Sequence, residues 1–235
     1  MMPYVITLTG PSQCGKSEVI RILKELSFND GYEDFHPVSV QKFTTREFRD
    51  DEIQAIRAGK ADSLDQKPVV GSDNLIEGAS EELLKKEKDE AFRRLKCDLA
   101  YEQYGDRYGL RLSDLYEHMK KGETPIVVLN DVRTVEDIKT KLGGQCFSIF
   151  IFREVPNYRH FVNIARKRKK DTSIDQIKIR YQKAESIYRI YIENIHIFDK
   201  LILNVEKPSK RNFITLNKIL EDLIKYLCAP TPIFR

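Results

Sequence analysis

An eight-residue stretch near the start of the chain, GPSQCGKS from Gly10 to Ser17, constrains the fold more than any other feature. It satisfies GxxxxGK[ST] at every fixed position. Tyr4 to Thr9 before it is a short apolar, β-rich run. Lys16 to Leu26 after it sets Val19, Ile20, Leu23 and Leu26 at helical spacing. Strand, glycine loop and helix in that order make a phosphate cradle. The loop turns its backbone N–H groups inward, along Gly10, Pro11, Ser12, Gln13, Cys14 and Gly15. Gly10 and Gly15 permit turns that a Cβ would obstruct. Lys16 then reaches the β- and γ-phosphates of a nucleoside triphosphate, and the Ser17 hydroxyl is a magnesium ligand. The helix directs its positive N-terminus at the same phosphates. Cys14 reads as a tolerated variable position rather than a nucleophile.

The rest of the chain supports one α/β core. Its 235 residues suit one compact domain with inserted lobes, and 41% hydrophobic residues are enough for a packed interior. A negative mean hydropathy and the lack of a long apolar run exclude a membrane span. MMPYVITLTG has no basic segment ahead of its apolar residues and reads as a buried strand, not a signal peptide. Cysteines 14, 97, 146 and 228 form no CxxC unit and are expected to be reduced thiols in a cytoplasmic protein, without zinc. The net charge of +4 is too small to argue for nucleic acid.

Apolar strand candidates at 37–40, 125–129, 146–152 and 201–203 alternate with helical stretches at 113–121, 134–142, 158–170, 174–196 and 213–227. That alternation predicts a parallel sheet flanked by helices. Residues 81–95 read as a charged helix opened by Ser80, and DLAYEQYGDRYGL as a hairpin turning at Gly105-Asp106. Ser113 reads as the N-cap of its helix and Gly122 as the stop. Residues 50–80 read as loops and short elements.

Three groups of residues extend the phosphate chemistry. PIVVLND ends an apolar strand in Asp131, a magnesium-holding carboxylate or a helix N-cap for the segment near Thr134. Arg46 and Arg49 in TTREFR can converge on one phosphate, which the planar guanidinium binds bidentately, or lie as surface charge. Tyr108 is either a phosphate-contacting hydroxyl or a hairpin core residue. RKRKK at 166–170, with Arg166, Lys169 and Lys170, joins Arg180 as a third group. It reads as a solvated helix face or as a mobile basic lid that closes over a moving phosphoryl group and excludes water.

Taken in order, GPSQCGKS, TTREFR, YGDRYGL, the strand ending in Asp131, SIFIF, the basic cluster, R180…A184 and LILN resemble guanylate kinases over almost the whole chain. The P-loop is generic, whereas TTRxxR followed by YG is more specific. The resemblance implies a P-loop kinase core at 1–37, 119–154 and 176–235, a nucleoside-monophosphate (NMP) binding lobe inserted at 38–118, and a lid at 155–175. It implies that Arg46, Arg49 and Tyr108 bind the acceptor phosphate and that Arg166 and Arg180 contact the donor phosphates. Asn204, closing LILN, matches the position near the donor nucleoside. The sequence departs from the family where the base is read. Lys42 stands where the family has Ser, Leu99 where it has an acid beside Asp98, and Leu110 where it has a small hydroxyl residue.

The expected activity is transfer of the ATP γ-phosphoryl group, with magnesium, to the phosphate of a small acceptor. The acceptor is GMP, dGMP or a related nucleotide, or a phosphorylated sugar. The alternatives are a guanylate-kinase-like protein-binding module without catalysis, and a kinase or NTPase acting on a nucleic acid end. An intact P-loop speaks against the first. The absence of aromatics among the basic residues speaks against the second. Oligomeric state is not legible.

Overall fold

A computed structural model of the protein describes residues 4–11, 14–29, 32–46, 53–54, 57–58, 66–69, 81–103, 105–153, 158–167, 174–204 and 216–228. Within them the elements follow as β1 (Val5–Thr9), α1 (Lys16–Leu26), β2 (Pro37–Ser39), β3 (Lys42–Thr44), β4 (Gln66–Pro68), α2 (Glu81–Arg94), β5 (Leu99–Gln103), β6 (Asp106–Leu110), α3 (Leu112–Lys120), β7 (Thr124–Val128), α4 (Val132–Leu142), β8 (Cys146–Phe152), α5 (Tyr158–Lys167), α6 (Ile174–Glu193), β9 (Lys200–Leu203) and α7 (Leu216–Cys228). The chain divides into two compact units, Met1–Val38 with Met119–Arg235, and Ser39–His118.

The first unit is built on a five-stranded sheet ordered β2-β7-β1-β8-β9. β1 runs parallel to β7 and β8, and β8 parallel to β9. The central strands β1, β7 and β8 are buried nearly throughout because both of their faces are covered. On one face Ile6, Leu8, Ile126, Val128, Ile149, Ile151 and Ile202 pack with α1 and α7. The helices contribute Val19, Ile22, Leu23 and Leu26, and Leu220, Leu223, Ile224 and Leu227. Each such side chain, fully buried, contributes about 1.5–3 kcal/mol. Alternation turns Phe150 to the opposite face, where it stacks on Tyr191 of α6 with ring centroids 4.1 Å apart. The sequence prediction of a parallel sheet flanked by helices agrees with this arrangement.

At the start of β8 and β9 the sheet is tied by side chains. Asp199 accepts from Lys139 Nζ of α4 at 2.8 Å through Oδ1, and from Ser148 N and Oγ at 2.7 and 2.8 Å through Oδ2. Burial alone would raise the Asp199 carboxyl. The Lys139 and Ser148 hydrogen bonds outweigh it and hold the group below its ordinary range.

The second unit carries a four-stranded sheet ordered β4-β3-β6-β5. Phe43 on one face packs with Val69 and with Phe92, Ala91, Leu95 and Cys97 at the end of α2. The approach is close enough that a Cβ on Gly109 would meet Phe92 and Cys97. Here a side chain is excluded by space.

Several boundaries differ from the sequence reading, each for a local reason. α1 buries Ile22 fully and Ile20 only in part. β3 is a second strand directly after the candidate at 37–40, where the sequence reading has only that one before TTREFR; it is held by β6 on one side and β4 on the other. α3 begins at Leu112, so Ser113 lies inside the helix and is not its N-cap. The Leu112 N–H is satisfied instead by Asp98 Oδ2 at 2.8 Å, a partner distant in sequence. α4 starts two residues earlier than expected, directly after Asp131, which is its N-cap as one of the two sequence readings of that residue has it. α6 ends at Glu193, and Ile195–Ile197 continues as a 3-10 turn. Among the described residues no helix is long and apolar enough to cross a membrane.

Candidate functional site

The P-loop lies between β1 and α1. Gly15 at its end has φ +100°, a conformation L side chains rarely adopt, and is followed by the first turn of α1. Lys16 folds back over the loop, its Nζ donating to Gly10 O at 2.7 Å and Pro11 O at 2.8 Å. The Cys14 sulfur lies 3.8 Å from the same ammonium and is 1% exposed, which suits packing rather than reactivity. Ser17 is exposed on the first turn of α1. Glu18 on the same turn is paired with Arg21, so its charge is balanced on the helix surface.

Asn204, following β9, donates from Nδ2 to Cys14 O at 2.7 Å. A Cβ on Gly15 would run into that amide. Asn204 therefore braces the loop, and the brace requires glycine at position 15. Sequence reading placed Asn204 near the donor but had no means of seeing this contact, which joins residues 190 apart.

Asp131 is the N-cap of α4. Its Oδ2 accepts from Thr134 N at 2.9 Å and Thr134 Oγ1 at 2.7 Å. It also follows β7, the strand paired with β1, so it stands at a carboxyl end of the sheet, as the P-loop does. The donor set suits magnesium, which takes one or two carboxylates with phosphate oxygens and keeps several waters. Loop amides, Lys16 and the start of α1 suit a polyphosphate.

The second unit gathers another cluster on the face of its sheet opposite Phe43. Thr44 pairs with Tyr108 and Tyr108 with Tyr101, so all three point the same way. The two tyrosine rings stack 5.2 Å apart. Lys42, two residues before Thr44, is 1% exposed. Its Nζ lies 3.2 Å from the Tyr101 hydroxyl, and 5.9 and 5.5 Å from the Tyr101 and Tyr108 ring centroids. The Thr44 hydroxyl accepts from Arg46 N at 3.1 Å. Burial pushes the Tyr108 phenol up to about 12, against the opposing pull of the Arg46 charge and the Thr44 hydrogen bond. Tyr108 is thus both a core residue, at 4% exposure, and a neighbour of the Arg46 charge.

Of the residues singled out from sequence, Gly10, Pro11, Cys14, Gly15, Lys16 and Asn204 come together around one loop. Arg46 and Tyr108 come together in the second unit. Ser12, Gln13 and Arg49 lie outside the described residues, as does 168–170 of the basic cluster. Arg166 and Arg180 lie on α5 and α6. Sequence reading did not single out Thr44 or Tyr101, and noted Lys42 only as a departure from the family. Period-two alternation along 42 and 44, and the hairpin register that sets 101 opposite 108, carried that signal.

No protein-family model and no curated protein sequence matches the chain. Among solved structures, it resembles guanylate kinase from Anaplasma phagocytophilum at 16% identity, over 96% of this chain and 85% of that one, with a TM-score of 0.50. It is more distantly similar to shikimate kinase from Acinetobacter baumannii, solved with shikimate, at 12% identity over 96% and 93% of the two chains, with a TM-score of 0.41. The first likeness shows a fold of the P-loop kinase kind. At this identity it says nothing about substrate, and the second is too distant to add to it.

Proposed function

We propose that the protein is a guanylate-kinase-like phosphotransferase that moves the ATP γ-phosphoryl group to the phosphate of a small acceptor. The observation that carries this reading is Lys16, held over Gly10 and Pro11 beside the start of α1. Two of its acceptors are the backbone carbonyls of Gly10 and Pro11, and a polyphosphate offers the ammonium stronger, charge-assisted partners. The first unit then holds the donor and the second the acceptor phosphate, through Arg46, Arg49 and Tyr108.

The bond that forms joins an acceptor phosphate oxygen to the γ-phosphorus. The bond that breaks is to the β–γ bridging oxygen, and ADP leaves. The acceptor oxygen is already anionic, so no general base is needed. Lys16 and the loop amides bear the charge that develops on the departing side. Arg46 orients the acceptor phosphate, and Arg166 of the lid and Arg180 of the core add positive charge toward the donor phosphates. Ser17 and Asp131 would hold magnesium, which would supply neutralisation of the phosphate charge. The base-recognition departures at Lys42, Leu99 and Leu110 leave the acceptor open to classes other than GMP.

The test is ADP release from ATP and magnesium, screened across nucleoside and deoxynucleoside monophosphates and phosphorylated pentoses, with Lys16→Ala as the blank. Stimulation by one acceptor, lost in Lys16→Ala, is expected. ATP binding without stimulation by any acceptor would overturn the transferase reading in favour of a binding module.

A further inference from the structure

β1 and β7 are parallel neighbours, and Leu129 N extends their pairing by donating to Leu8 O at 3.0 Å. The helices that follow these two strands leave for opposite faces of the sheet. α1 packs on the face of Ile6, Leu8, Ile126 and Val128. α4 packs on the other face, where its Lys139 Nζ lies 3.3 Å from Ser148 Oγ. Ser148 is the cross-strand partner of Thr7, which alternation turns away from Ile6 and Leu8. Where adjacent parallel strands send their connections to opposite faces, a crevice opens at their carboxyl ends, and open α/β sheets bind ligands there. The P-loop follows β1 at that end. Asp131 and the first turn of α4 follow β7.

That first turn carries charge of the wrong sign for a helix start. It has no acidic residue and has Arg133 instead. The start of a helix dipole is positive and repels a cation. α1 shows the usual arrangement, with Glu18 in its first turn paired to Arg21. Among the described residues Arg133 is exposed and forms no hydrogen bond, ion pair or ring contact. Asp131 does not neutralise it, because Asp131 Oδ2 accepts from Thr134 N and Oγ1. Glu136 and Asp137 stand at the spacings of helix-surface ion pairs, are exposed, and do not pair with it either. A guanidinium set against a positive helix end, beside a phosphate-binding loop and with carboxylates in reach that it does not use, is half of an ion pair whose other half arrives with the ligand.

We propose that Arg133 is a substrate-binding residue that takes a phosphate oxygen on the β7 side of the P-loop site. The planar fork of arginine fits phosphate oxygens two at a time. The phosphate belongs either to the polyphosphate of the donor or to the acceptor. The chemistry of the contact is the same for both, and kinetics separates them. This rests on the phosphotransferase reading for the molecule that carries the phosphate.

Arg133→Gln and Lys141→Gln each remove one exposed positive charge, from opposite ends of α4. The second is the control for charge acting at a distance. The full chain is assayed with ATP, magnesium and the acceptor that the wild type uses. Arg133→Gln is expected to lose roughly 10- to 100-fold in kcat/KM, and Lys141→Gln to match the wild type. A raised KM for the acceptor assigns the contact to the acceptor phosphate, and a raised KM for ATP assigns it to the donor. A loss confined to kcat assigns it to the phosphoryl group in transit. Arg133→Lys keeps the charge without the fork and should recover part of the loss. The thermal midpoint of unliganded Arg133→Gln should be unchanged or higher, since the substitution relieves repulsion at the helix start. A midpoint lowered in Arg133→Gln and Arg133→Lys alike would give the residue a structural role and overturn the proposal. So would wild-type kcat and KM values in Arg133→Gln, or an equal loss in Lys141→Gln. If the wild type turns over no acceptor, the transferase reading falls, and calorimetric titration of ATP with magnesium decides the role of Arg133. Binding roughly tenfold weaker in Arg133→Gln than in Lys141→Gln upholds that role, and equal binding overturns it.

Discussion

The two ends of the parallel sheet in the first unit each gather polar side chains around a lysine, and they use it differently. Where β8 and β9 begin, Lys139 meets a carboxylate, and both oxygens of Asp199 are engaged within the cluster. Where β1 and β9 end, Lys16 meets backbone carbonyls, and Asn204 holds the loop by another backbone oxygen. The first arrangement pairs opposite charges and belongs to the fold. The second sets an ammonium against two backbone carbonyls of the loop, the arrangement proposed above to receive a phosphate. Parallel sheets place ligands at the carboxyl ends of their strands, so the polar cluster at the other end is free to serve stability alone.

The largest expected effect tests that contrast directly. Lys16→Ala should lower kcat/KM for the preferred acceptor by about 10²–10³-fold or more, as loss of a charge-stabilising donor does. Its thermal midpoint should hardly move. Lys139→Ala should do the reverse, costing about 1–3 kcal/mol by leaving a partly buried carboxylate without its ammonium, with turnover per folded molecule unchanged. Steady-state kinetics and denaturant unfolding on the same two variants decide it. A Lys16→Ala protein with full activity would remove the loop from the mechanism.

Next in size is Gly15→Ala. The residue has φ +100° and faces the Asn204 amide, so a methyl group meets both backbone strain and a close neighbour. Loss of about 2–3 kcal/mol is expected, with weaker ATP binding. Asn204→Ala alone should cost about 1 kcal/mol, the worth of its hydrogen bond to Cys14 O. In the Asn204→Ala background the neighbour is gone and strain alone remains. The Gly15→Ala penalty should therefore shrink, and a double-mutant cycle measures by how much. Strict additivity would mean that Asn204 does not brace the loop.

The same contrast explains what was legible in the sequence. GPSQCGKS is local: eight consecutive residues specify a loop whose ligands are backbone amides, so strand, loop and helix can be read in a row. The central strands were legible because burial on both faces demands unbroken apolar runs. The Lys139–Ser148–Asp199 tie joins three elements, and nothing in the residues around each one marks it. The Asp98 cap of α3 and the Asn204 brace hide for the same reason. β3 was missed because three residues carry almost no periodicity; its partners, not its composition, make it a strand. The Lys42–Tyr101–Tyr108 cluster lay between these cases. Alternation and hairpin register place its members on one face, but a lysine reads as surface until something shows it buried.

A third experiment follows the charge at the structural end of the sheet. The folded-state pKa of Asp199 lies below its unfolded value, so its stabilisation is present above the unfolded pKa, about 4. It is lost as pH falls from there through the folded pKa. Asp199→Asn keeps the shape and removes the charge, and should cost roughly 1–2 kcal/mol near neutrality. The gap between wild type and variant should narrow below about pH 4, as the wild-type carboxyl takes up its proton. Chemical unfolding from pH 3 to pH 7 measures it. A gap independent of pH would show that Asp199 acts by shape alone.

The smallest effect separates two roles at Asp131, where helix capping is seen and magnesium binding is proposed. Removing the cap with Asp131→Ala should cost about 1 kcal/mol of stability through the lost bonds to Thr134 N and Oγ1. Asn is an equally good N-cap, so Asp131→Asn should recover nearly all of that stability. The two substitutions nevertheless both remove the negative charge. If the carboxylate also helps hold magnesium, Asp131→Asn should keep the wild-type unfolding midpoint yet require severalfold more magnesium for half-maximal ADP release. Titrating magnesium at saturating ATP reads this directly. A magnesium requirement identical to wild type in Asp131→Asn would confine the residue to capping α4 and leave the hydroxyl of Ser17, on the exposed first turn of α1, as the metal contact from this unit.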